Sequence, residues 1–98
     1  MRREVRVSDA FFDDLDRQLG AERGTNGEPS TTDFLLVDMP EVIEQFATGF
    51  NGLPLIDASI PDLRMMIGSA VLARAFVGEG FEIEPGVVEL IGIELDLG

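Results

Sequence analysis

The spacing of apolar residues changes once along this chain, and that change constrains the fold more than any motif. Up to residue 50 apolar side chains recur mostly every three or four positions; from Leu63 onward they come in extended runs parted by Gly- and Pro-containing turns. The first texture belongs to amphipathic helices, the second to strands. A chain of 98 residues holds one core rather than two, so both textures must pack together in a single domain, 1–98.

Residues 3–7 are the early exception. Val5 and Val7 alternate with Glu4 and Arg6, as in a half-buried strand. Ser8 then suits an N-cap, and Asp9 complements the dipole in the first turn. Phe11, Phe12, Leu15 and Leu19 form one helical stripe, Asp13 and Arg17 sit one turn apart, and Gly20 or Gly24 ends the helix. Residues 24–30 read as a loop, a connection rather than a mobile finger. Ser30, Thr31 and Thr32 offer caps for a second helical region, which Pro40 must kink or restart. Val42, Ile43, Phe46 and Phe50 continue the helical period; a strand over 34–38 is the competing reading. Residues 51–62, with Pro54 and Pro61, are a crossover.

Three strands are expected after it: Leu63–Ile67, a turn at Gly68-Ser69-Ala70, Val71–Val77 broken by Gly78-Glu79-Gly80, and Val87–Leu97 after a Pro85-Gly86 turn. In the last strand Ile91, Ile93, Leu95 and Leu97 share one face and Val88, Leu90, Glu94 and Asp96 the other. The expected fold is α+β and two-layer, in the order β-α-α-β-β-β: an antiparallel meander, with the N-terminal strand joining its sheet and the helices on one face.

Composition narrows the chemistry. The chain has 19 acidic residues, seven arginines and no lysine, histidine, cysteine, tyrosine or tryptophan, for a net charge of −12. No Ser-His or Cys-His pair and no imidazole or thiolate metal site can be assembled. A hydrophobic fraction of 45% argues for a folded chain, and a surface this negative repels nucleic acid and anionic lipid while attracting basic partners. The lack of cysteine, of an apolar leader and of an 18-residue apolar run leads to the expectation of a cytoplasmic protein with no cofactor and no membrane partner.

Short motifs carry a family resemblance. Val5-Arg6-Val7-Ser8 opens into an amphipathic helix, Leu53-Pro54 precedes the sheet, and Asp62-Leu63-Arg64, Arg74-Ala75-Phe76-Val77 and Val88-Glu89-Leu90-Ile91-Gly92-Ile93 follow as strands. In order and length the chain resembles the RelE/ParE superfamily of bacterial toxins from toxin–antitoxin pairs. The resemblance implies an antitoxin-like protein partner. Only Arg64 and Arg74 match the family's basic positions, and two arginines among so many carboxylates are a poor basis for messenger-RNA cleavage.

Candidate residues follow. Arg64 and Arg74, on consecutive strands, form an anion notch if they approach each other, or else pair singly with neighbouring acids. They are the only catalytic candidates, a weak RNase-like toxin being the enzymatic possibility. With Met65, Met66 and Phe76 they are the expected partner-binding residues, although Met65, Met66, Ile67 and Phe76 also read as core. Asp9, Asp13, Asp14 and Asp16 read as a solvated helix face rather than a metal site. Glu82, Glu84, Glu89, Glu94 and Asp96 read as strand-edge acids rather than an acid/base pair. Three roles remain open: a toxin-like protein acting by protein binding, an acidic module or nucleic-acid mimic for a basic partner, and a structural subunit of an oligomer.

Overall fold

A computed structural model describes residues 2–20, 24, 25, 27 and 29–97; Asn26 and Glu28 of the expected 24–30 loop lie outside the described residues. The architecture is α+β. Strand β1 (Glu4–Val7) leads into α1 (Asp9–Gln18), followed by α2 (Thr31–Val37), α3 (Met39–Thr48), a 3-10 turn over Phe50–Gly52, and strands β2 (Leu63–Gly68), β3 (Ala75–Glu84) and β4 (Val87–Asp96). The sheet order is β1-β4-β3-β2; β2, β3 and β4 are an antiparallel meander, and β1 joins parallel to β4, with Val5 opposite Val88 and Val7 opposite Leu90.

The helix ends follow the sequence closely. Ser8 caps α1 by accepting from the Phe11 N–H at 3.2 Å, while its hydroxyl donates to the Leu90 carbonyl at 2.7 Å. Ser30 caps α2 in a reciprocal box with Asp33. Pro40 stands in the first turn of α3, where its missing N–H costs nothing, so the chain restarts its helix there. The hinge between α2 and α3 is Asp38, only 5% exposed; its carboxylate accepts from the N–H groups of Val71 and Leu72 at 2.7 and 2.9 Å. An acid in the helical half thereby holds the β2–β3 connection.

Four expectations need correction. Phe12 is 37% exposed and stands off the stripe, leaving Phe11, Leu15 and Leu19 as the buried ridge of α1. The connection after β2 is residues 69–74 rather than a three-residue turn. Strand β3 runs straight through Gly78-Glu79-Gly80 instead of breaking there. Both glycines lie under the Phe46 ring, so their missing side chains make room for α3. In β4, Gly80 pairs with Leu90 while Glu79 pairs with Gly92, so Ile91 is an extra residue, a β-bulge. The bulge reverses the alternation: Val88 and Leu90 now share the core face with Ile93, and Ile91 does not.

Beyond Val7, where β1 ends, helix α1 takes over the edge of β4. The Ile93 N–H donates to the Asp14 carboxylate at 3.1 Å, the Gln18 amide donates to the Ile93 carbonyl at 2.8 Å, and the Leu95 N–H donates to the Gln18 side-chain oxygen at 2.6 Å. Side chains of a helix thus satisfy backbone groups that a longer strand would pair.

Candidate protein-binding face

The strand registers sort side chains into two sets. Toward the helices point Val5, Val7, Met66, Phe76, Val88, Leu90, Ile93 and Leu95, all part of or packed on the buried cluster with Phe11, Leu15, Phe34, Val42, Phe46 and Phe50. Met66 and Phe76 therefore sit in the core, at 9% and 4% exposure, as their alternative reading expects.

The opposite set makes a face with two zones. On β2 and β3 it is mostly apolar: Leu63 pairs with Phe81, Met65 with Glu79, and Ile67 with Val77. On β4 it is acidic: Glu89 stands beside Phe81, Glu94 beside Val77 and Asp96 beside Ala75. Leu63, Met65, Val77 and Phe81 are half-buried, and Ile67 is 63% exposed. Where the zones meet, a depression of about 210 Å³ is lined by Ile67, Ala75, Val77, Glu94 and Asp96, and by Phe76 and Leu95 of the core-facing set. Of the expected partner-binding residues, Met65 alone lies in the apolar zone. Sequence reasoning does not single out Ile67, because β2 carries apolar residues on both faces, nor Val77 and Phe81, because the glycines between them on β3 read as a break. The signal that finds them is the Gly78/Gly80 pair, which marks the packed side of β3 and so leaves Val77 and Phe81 on the open one.

Arg64 and Arg74 do not meet. Arg64 sits opposite Gly80, whereas Arg74 precedes β3, at the far end of the hairpin and roughly 20 Å along the strand at about 3.3 Å per residue. Arg64 is on the core side. Its guanidinium lies 5.8 Å from the Phe50 ring centroid and donates to the carbonyls of Leu53, Asn51 and Pro61 at 2.9, 3.1 and 3.2 Å. Arg3 lies 5.1 Å from the same ring and bonds Glu82 at 2.7 Å and the Asn51 side chain at 3.1 Å. These cations tie the crossover to the sheet. Arg64→Ala is expected to lower unfolding free energy by about 2 kcal/mol, whereas the exposed Arg74→Ala changes it by less than about 0.5 kcal/mol. Urea titration of the two variants checks this; equal losses would refute the structural role of Arg64.

The acids divide between these structures. Glu82, on the core side, is held below its ordinary value of 4.5 by the Arg3 guanidinium, against the opposing effect of burial, with a smaller contribution from the Gly86 N–H. A carboxyl depressed in the folded state stabilises above its unfolded pKa, and that contribution disappears as pH falls through the folded value. Glu82→Gln is therefore expected to flatten the acid limb of stability below about pH 4.5 and to leave its neutral-to-basic slope unchanged. Thermal melts from pH 3 to 7 read this directly; an unaltered acid limb would contradict it. Glu84 and Glu89 belong to the open side with Val87 and Phe81.

On α1, Arg17 pairs with Asp14 at 2.9 Å and reaches Glu94 at 3.7 Å, rather than pairing with Asp13; Asp16 accepts from the Thr31 hydroxyl at 2.8 Å. Asp9 and Asp13 are exposed. Among the described residues no acidic group of three or more is arranged to hold a metal, and no helix is long and apolar enough to cross a membrane.

No family model, curated protein or solved structure matches this chain.

Proposed function

We propose that this chain works by binding another protein through the open side of its sheet, as the toxin-like member of a bacterial RelE/ParE-like toxin–antitoxin pair. The observation that carries the binding reading is the apolar hairpin face around Met65, Ile67, Val77 and Phe81, which lies opposite the buried cluster, with Ile67 63% exposed and the other three half-buried. Small folded domains bury such surface when they have something to bury it against, and contiguous exposed apolar patches mark interaction sites. The assignment to a toxin–antitoxin pair rests on the motif resemblance and on an element order that suits it. Arg64 supports binding over nuclease chemistry, since its Nε and Nη1 donate to backbone carbonyls of the crossover and hold the side chain there.

The test is expression with and without the product of the adjacent gene. Growth inhibition relieved by that product, and a complex at micromolar concentration, are the expected results. Absence of any complex at that concentration rejects the reading. The acid column on β4 favours one alternative, an acidic module for a basic protein, which predicts salt-sensitive binding without growth inhibition.

A further inference from the structure

The two zones of the open face specify the chemistry of what binds there. We infer that the face receives a cationic amphipathic helix, its apolar stripe on β2 and β3 and its basic flank over the carboxylates of β4. The inference deepens the protein-binding reading above and rests on it.

Width and length support a helix. Two adjacent strands present an apolar zone about 10 Å across, since neighbouring strands lie about 4.8 Å apart, and a helix with its side chains is about 10 Å wide. The zone runs along β3 from Ala75 to Phe81, about 20 Å at 3.3 Å per residue, which matches about 14 helical residues at a rise of 1.5 Å. Such a helix on the β2–β3 hairpin places one flank over β4.

Charge selects the sign of that flank. Glu89 and Glu94 stand on β4, and Glu79 interrupts the apolar zone on β3. Of the cations near β4, Arg6 is engaged with Glu4 and Arg17 with Asp14 and, at 3.7 Å, with Glu94, while Arg74 stands at the loop end of the zone, where its backbone N–H donates to the Asp96 carbonyl at 2.7 Å. The depression bounded by Ile67, Ala75, Val77 and Glu94 joins both requirements, since it accepts an apolar stem and offers a carboxylate to its charged tip, as a lysine or arginine supplies. A second copy of the chain meets the opposite condition: it would bring its own acids onto this column, under a net charge of −12 on each partner.

The probes are two synthetic helical peptides sharing one leucine stripe at i, i+3, i+4 and i+7, flanked in one by lysine and in the other by glutamate. Binding is read by fluorescence anisotropy and by amide shifts of the labelled full chain, with Ile67→Ser and Glu94→Gln as variants; both positions are largely exposed, so the fold survives. The lysine peptide is expected to bind at least about tenfold more tightly than the glutamate peptide, with shifts confined to β2, β3 and β4. Ile67→Ser is expected to weaken it about fivefold and Glu94→Gln about threefold, the latter difference fading in high salt. Equal affinity for both peptides overturns the inference, and so does lysine-peptide binding unaffected by Ile67→Ser, which is diffuse attraction to a polyanion. Concentration-dependent dimers abolished by Ile67→Ser overturn it in favour of a second copy. The two readings fail separately: a gene-neighbour protein that binds Ile67→Ser like the wild type refutes this site and leaves the protein-binding reading intact, whereas a bound lysine peptide with no protein partner refutes only the latter.

Discussion

Replacing Phe46 by alanine is expected to remove about 3–5 kcal/mol of stability, a large share of the roughly 5–15 kcal/mol that holds a domain of this size. Phe46 is fully buried, its ring lies over Gly78 and Gly80, and Phe50 packs beside it with centroids 6.4 Å apart. Those glycines have no side chains with which to collapse into the space, so the cavity stays open and its full cost appears. Phe12→Ala is the comparison: at 37% exposure, with one edge-on contact to Phe11, it is expected to lose about 1 kcal/mol. Urea unfolding of both variants decides the matter. Similar losses would mean that α3 does not carry the centre of the core.

The second large effect is at Gly80. A Cβ built there falls 2.6 and 2.8 Å from two carbons of the Phe46 ring and 3.1 Å from a methyl of Val88. Neither neighbour has room to retreat, since both are fully buried. Gly80→Ala is therefore expected to destabilise by about 1–3 kcal/mol, after part of the strain is offset by the lower entropy of the unfolded chain. Gly78, two residues earlier on the same face, meets the same ring only at 3.8 Å, an ordinary contact, so Gly78→Ala is expected to be close to neutral. Shortening the ring residue tests the cause: Phe46→Leu should cost less in the Gly80→Ala background than alone, by about 1 kcal/mol in a double-mutant cycle. Additive losses would assign the penalty to the strand backbone instead.

These glycines also show where local pattern stops being informative. Read along the chain, Gly78-Glu79-Gly80 looks like a break, because glycine weakens an isolated strand. In the folded protein the same residues let an aromatic ring approach the sheet, and ladder bonds to β2 and β4 on both sides supply what propensity lacks. The bulge at Ile91 is similar. Nothing in Val87–Leu97 announces an extra residue, yet one insertion exchanges the faces of everything after it and moves Ile93 into the core.

The candidate face was partly legible. The acidic character of the last strand and the apolar hairpin were visible in composition and alternation. Which apolar residues were core and which were open was not, because β2 offers Met65 and Met66 to opposite faces with similar hydrophobicity. Likewise Arg64 and Arg74 looked like neighbours across a tight turn. Register separates them, since Arg64 pairs with Gly80 while Arg74 lies outside the ladder.

What the sequence determined alone was local: the caps at Ser8 and Ser30, the restart of a helix at Pro40, the Pro85-Gly86 turn, the change from helical to strand texture, and the excess of negative charge. Each depends on groups only a few residues apart, so neighbours in sequence suffice to set it. Tertiary structure decided the parallel pairing of β1 with β4, the use of Asp14 and Gln18 to finish the β4 edge, the burial of Asp38 beneath the β2–β3 connection, and which strand residues enter the buried cluster. Those depend on which surfaces meet across 30 to 80 residues of chain, as in the bond from Leu95 to Gln18 77 positions away. Such meetings are chosen by packing volume and by the need to satisfy backbone polar groups, and neither is expressed by any short stretch of sequence.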